Sequence, residues 1–91
     1  MFARVETFHA EPAEIDDLIE AQHHTVGRVR TLPGNMGGYV LVNRDVGSVL
    51  GVTFWQDEEN RSLAEAEFEA SPHHGDVLLY GVAMQQVLSS T

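Results

Sequence analysis

The chain contains no cysteine, which removes disulfide, thiolate and zinc-thiolate chemistry and fits a reducing compartment such as the cytoplasm. It has no apolar run of the ~18 residues that a spanning helix needs. Its N-terminus has no basic region followed by an apolar one, so neither a membrane helix nor a signal peptide is expected. Basic residues are scarce: 5 Lys and Arg stand against 14 Asp and Glu, for a formal charge of −9, which repels phosphate backbones and anionic lipid. Nucleic acid and membranes are therefore not expected partners. Gly34, Gly37 and Gly38 form neither a dinucleotide fingerprint nor a P-loop, and no serine or cysteine sits in a nucleophile elbow. The doublets His23-His24 and His73-His74 lack the i, i+4 spacing of a helical zinc motif, because adjacent side chains diverge on a helix and oppose on a strand. No metal and no cofactor is expected.

What is present suffices for one domain spanning residues 1–91, with a hydrophobic share of 43%. Phe2 to His9 alternates with period two, and the face carrying Phe2 and Phe8 also carries Arg4 and Glu6, so the segment is a strand with one face that is not a plain core face. Pro12 and the acids around it suit a helix start. Ile15, Leu18, Ile19, Val26 and Val29 then define an amphipathic stripe running to about Thr31, before Leu32-Pro33-Gly34 stops it. Gln22 falls in the middle of that stripe, His23 at its edge and His24 opposite. Tyr39 to Arg44, a turn at Asp45 to Ser48, and Val49 to Trp55 read as a β-hairpin apolar on both faces. A capping Asp57 opens a second helix with Leu63, Ala66 and Ala70 on its stripe, and Val77 to Leu88 reads as a final strand.

The order β-α-β-β-α-β predicts an α+β, ferredoxin-like fold with a four-stranded antiparallel sheet and its helices on one face. Strands apolar on both faces then leave one face uncovered. At about 25 cal/mol per Å² of apolar area that exposure is costly, and a second copy of the chain is the expected cover, giving a homodimer.

With these elements in place the chain resembles the antibiotic biosynthesis monooxygenase-like group of dimeric α+β barrels. The resemblance rests on Phe2 to Phe8, on Leu32 to Arg44 and on Val52 to Glu59, the last containing Trp55. It implies a small dimeric protein that binds a planar aromatic molecule, phenolic, quinol or polyketide-type, and acts as a cofactor-independent monooxygenase. The group also implies two alternatives, a non-enzymatic ligand-binding or regulatory dimer and a haem-binding or haem-degrading protein. Haem-degrading members carry an asparagine in the first strand, a tryptophan in the second helix and a later iron-ligating histidine. Here Glu6 and Thr7 stand in the first region, no tryptophan lies near Ala64, and His74 alone matches the last feature, with Pro72 just before it.

The pocket is expected between helices and sheet, with Ala64, Ala66 and Ala70 leaving room and Tyr39 and Phe68 shaping an apolar slot. Trp55 would stack on a flat ligand or serve as core. Arg4 would steady a phenolate and Glu6 take its proton; alternatively the two meet charges of a partner chain at a dimer seam. Gln22 would hydrogen-bond a ligand or a backbone group. His23 offers a second candidate base, or is a surface histidine without a role. His74 completes the candidate ligand-contacting set.

Overall fold

In the computed structural model, which describes residues 1–69 and 79–86, the chain follows β1 (Phe2–His9), α1 (Ile15–Val29), β2 (Asn35–Asn43), β3 (Ser48–Trp55), α2 (Glu58–Leu63), α3 (Glu65–Glu69) and β4 (Leu79–Gln86). The strands form one antiparallel sheet in the order β2-β3-β1-β4, so the first strand is central and flanked by the third and the last. This is the expected α+β arrangement.

Several local expectations shift. α1 ends at Val29, two residues before Thr31, and β2 begins at Asn35 with an irregularity between Asn35 and Gly38. The second helix is two short ones meeting at Ala64, with Asp57 capping the first by accepting the Asn60 amide at 2.8 Å. Its buried residues are Ala64 and Phe68, not Leu63 and Ala66, which are exposed. The stripe inferred from Leu63 assumed one continuous helix, and the break at Ala64 rotates it away. Ala70 lies outside the described residues, as do Val77, Leu78, Val87 and Leu88 of the expected final strand. The β2-β3 hairpin turns at Gly47, whose φ of +67 suits glycine, and its carbonyl accepts the Ala10 amide at 2.9 Å, tying the turn to the end of β1.

Pairing register assigns the two faces of the sheet. Phe2, Arg4, Glu6 and Phe8 stand opposite Trp55, Thr53, Gly51 and Val49, and all of these look toward the helices. Behind them, Ala3, Val5 and Thr7 pair with Phe54, Val52 and Leu50, and the last two pair onward with Tyr39 and Leu41. The helix side closes around two apolar clusters. One joins Phe8, Ala10, Ile15, Leu18 and Val49; the other joins Val29, Trp55, Ala64 and Phe68. The opposite side has no cover among the described residues, and Tyr39 is 63% and Leu41 52% exposed there.

Candidate functional site

Between the two apolar clusters the interior is polar. Arg4, Glu6, Gln22, Thr25 and Thr53 are all buried, and they form a belt across the middle of the space between α1 and the sheet. Alternation along β1 delivers Arg4 and Glu6 to this side, and the same alternation along β3 delivers Thr53 and Trp55. From α1, Gln22 and Thr25 come down at i, i+3 on the stripe that also buries Leu18, Val26 and Val29. Gln22 lies over Gly51, where an added Cβ would collide with its Oε1, so the glycine makes the room that the amide occupies. The Nε2 of Gln22 is buried with no hydrogen-bond partner among the described residues.

Arg4 is the centre of the belt. Its Nη1 donates to Glu6 Oε1, while Nε and Nη2 donate to the two oxygens of Glu65 on α3, at 3.1 and 2.7 Å. The guanidinium carbon sits 3.8 Å from the centre of the Phe68 ring, a cation-π contact. Phe68 in turn meets Trp55 edge to face at 6.3 Å, and the Trp55 Nε1 donates to Thr53 Oγ1 at 2.9 Å. Burial alone opposes the Arg4 charge, but the Glu65 hydrogen bonds and the nearby Glu6 outweigh it and hold the guanidinium pKa above its ordinary value. The same Arg4 hydrogen bonds keep the Glu65 carboxyl below the usual carboxylate value against the opposing effect of burial, and Arg61, 3.4 Å away, adds to this.

Chemically, the belt pairs a fixed cation with a sealed carboxylate, flanked by aromatic rings. A guanidinium of this kind steadies an oxyanion, and a carboxylate beside it accepts a proton. Of the residues singled out in the sequence, Arg4, Glu6, Gln22, Trp55 and Phe68 come together here. Three do not. Tyr39 points to the opposite sheet face, edge-on to Phe54 at 6.0 Å, because its position in β2 is one residue out of phase with the helix-facing Gly38 and Val40. His23 is exposed on α1 beside the equally exposed His24, and His74 lies outside the described residues. Arg4 and Glu6 do not sit at a seam on the open face, since β1 turns them toward the helices. Ala64 and Ala66 do line a groove of about 140 Å³, with Leu32, Asn60 and Leu63, but it touches none of the belt.

Glu65, Thr25 and Thr53 were not foreseen. The threonines carried a signal, since Thr53 shares the Trp55 alternation and Thr25 lies three residues after Gln22 on the buried stripe. Glu65 carried none, being one acid among several in an acidic helix.

No protein-family model matches the chain, and no curated protein matches it. Solved structures do. An antibiotic biosynthesis monooxygenase aligns with a TM-score of 0.80 at 15% identity, over 98% of this chain and 100% of that one. The haem degrader MhuD from Mycobacterium tuberculosis, solved with two haems in its active site, aligns at 0.78 and 13%, over 100% and 99%. A proposed antibiotic biosynthesis monooxygenase from Deinococcus radiodurans aligns at 0.78 and 14%, over 100% and 96%. Across identities this low the likeness is one of fold, and the chain has the antibiotic biosynthesis monooxygenase-like fold.

Proposed function

We propose that this chain is a homodimeric, monooxygenase-type protein that takes a planar phenolic or quinol-type molecule into the belt between α1 and the sheet. One observation carries the reading: the buried Arg4–Glu6 pair, set beside aromatic walls, in a fold whose solved neighbours include a monooxygenase. Buried ionisable pairs cost desolvation and are weak contributors to stability, so a chemical use explains their presence better than a structural one. In the proposed reaction Glu6 accepts the phenolic proton and Arg4 holds the resulting anion, which is electron-rich enough to react with O2. As the phenol becomes a quinone its ring gives up four electrons to O2, three from the C–H carbon and one from the phenolic carbon. One oxygen atom stays on the former C–H carbon, and the other leaves as water with the ring hydrogen and the phenolic proton. The exposed Tyr39 and Leu41 face receives a second copy of the chain. A cysteine-free composition is in keeping with a cytoplasmic setting.

The test is oxygen uptake across a panel of hydroxylated aromatics, with Glu6→Gln as the control. Uptake that Glu6→Gln abolishes is the expected result. Ligand binding without uptake in any member of the panel would instead make the chain a non-enzymatic binding dimer. Haem is a second reading, favoured by the likeness to MhuD. The described residues fit it poorly: His9 lies on the opposite sheet face, and His23 and His24 are exposed, so none reaches the interior. A Soret shift on adding haemin that His74→Ala removes would replace the first reading.

A further inference from the structure

The two carboxylates that hold Arg4 differ in their access to solvent. The Glu6 side chain is 2% exposed, whereas that of Glu65 is 32% exposed and stands between the guanidinium and water. Glu65 occupies the Nε–Nη2 edge with both oxygens, the fork geometry in which an arginine takes any carboxylate. It also has somewhere to go. Arg61 Nη1 is already 3.4 Å from Glu65 Oε2, one helical turn earlier, so a Glu65 carboxylate that left Arg4 would keep a cation. The helix that carries Glu65 is five residues long and meets α2 at Ala64, so little structure needs to move with it.

We propose that Glu65 is an internal stand-in for the ligand: an aromatic carboxylate binds Arg4 by displacing the Glu65 carboxylate onto Arg61. The inference rests on the reading that this interior takes a planar aromatic molecule, and it names the group such a molecule presents. Exchanging one carboxylate for another leaves the charge of the buried belt unchanged. A neutral amide of the same shape removes a counter-ion from Arg4 without replacing it, which a desolvated cation tolerates poorly. Phe68 and Trp55 are themselves buried, so the incoming ring takes the place that the Glu65 side chain leaves beside the guanidinium and Phe68.

The experiment is isothermal titration calorimetry of 1-naphthoate and its neutral counterpart 1-naphthamide into the full chain, Glu65→Ala and Glu65→Gln. Removing the competing carboxylate should tighten 1-naphthoate by about tenfold or more in both variants, the worth of a charge-assisted hydrogen bond. 1-Naphthamide should gain less than 1-naphthoate, because the amide no longer has a carboxylate to displace but cannot restore the lost ion pair. Glu65→Gln keeps the side-chain volume, so a gain seen in Glu65→Ala alone would mean that space was opened, not charge, and would overturn the proposal. So would equal naphthoate affinity in all three proteins, or an equal gain for the amide. If neither probe binds any of the three, the aromatic-ligand reading falls with it; if both bind with no dependence on residue 65, only the stand-in falls. Binding is measured without turnover, so absent oxygen uptake would overturn the enzymatic reading and leave this one standing.

Discussion

The two faces of one sheet invert the usual order of a small protein. The space between the helices and one face holds an arginine, a glutamate, a glutamine and two threonines in its centre, and the face that the described residues leave bare holds Tyr39, Leu41, Leu50, Val52 and Phe54. Burial normally sorts side chains the other way. On the covered side, apolar clusters at either end supply the packing, and the polar belt between them works against stability unless each charge is met. On the bare side the cost lies in water contact, and it ends once another apolar surface arrives. Under the function proposed above, the first face would serve chemistry and the second association.

Substitutions should therefore fail differently on the two faces. The largest effect is expected at Arg4. Arg4→Leu takes the cation from the buried Glu6 carboxylate and should cost about 3–5 kcal/mol in urea unfolding, whereas Arg4→Met with Glu6→Leu should recover most of that loss. If the single variant were as stable as the parent, the belt would not be a charged interior at all. On the bare face Leu41→Arg should leave each chain folded but place an unmatched charge in the apolar surface, so that light scattering reports the mass of one chain in place of two. A two-chain mass surviving this change would put the interface elsewhere.

A smaller and more local effect is expected at the contact between sheet and α1. Gly51→Ala drives a methyl group into Gln22 Oε1 and should cost about 1–3 kcal/mol, the range for overpacking. Gln22→Ala in the same chain should relieve much of it, because neighbours that share a contact do not add. Additive losses would place the Gln22 amide away from Gly51.

These two faces were unequally legible in the sequence. Strand alternation and the helical stripe fixed the topology, because periods of two and 3.6 residues are written directly into which positions are apolar. The double-sided apolar strands gave the bare face in the same way. Gln22 was visible as a polar residue in an apolar stripe, and Arg4 and Glu6 as charges on an aromatic strand face. Which way that strand face turned depended on pairing across β3, a long-range fact that one strand cannot encode. Tyr39 was misplaced for the same reason, since its side depends on the register of β2. Glu65 was invisible because its partner lies 61 residues away, and because the break at Ala64 that aims it at Arg4 has no proline or glycine to announce it.

The finest distinction between the faces is their response to acid. Hydrogen bonds from Arg4 hold the folded-state pKa of Glu65 below its ordinary value of 4.5, although burial pulls the other way and Arg61 helps. A carboxyl with a depressed folded pKa binds fewer protons in the folded chain than in the unfolded one, so its contribution to stability rises with pH. It is fully present above about 4.5 and is lost as pH falls through the lower, folded value. The stability gap between the parent chain and Glu65→Gln, followed by urea unfolding, should therefore be constant from pH 7 to about 5 and should close below about 4.5. A gap that stayed constant into acid would mean that Glu65 acts through packing and not charge, which would also weaken its role as a carboxylate held in place of a ligand. The apolar row from Tyr39 to Phe54 carries no carboxyl of its own, so the carboxylate titration that closes the Glu65 gap has no counterpart in it.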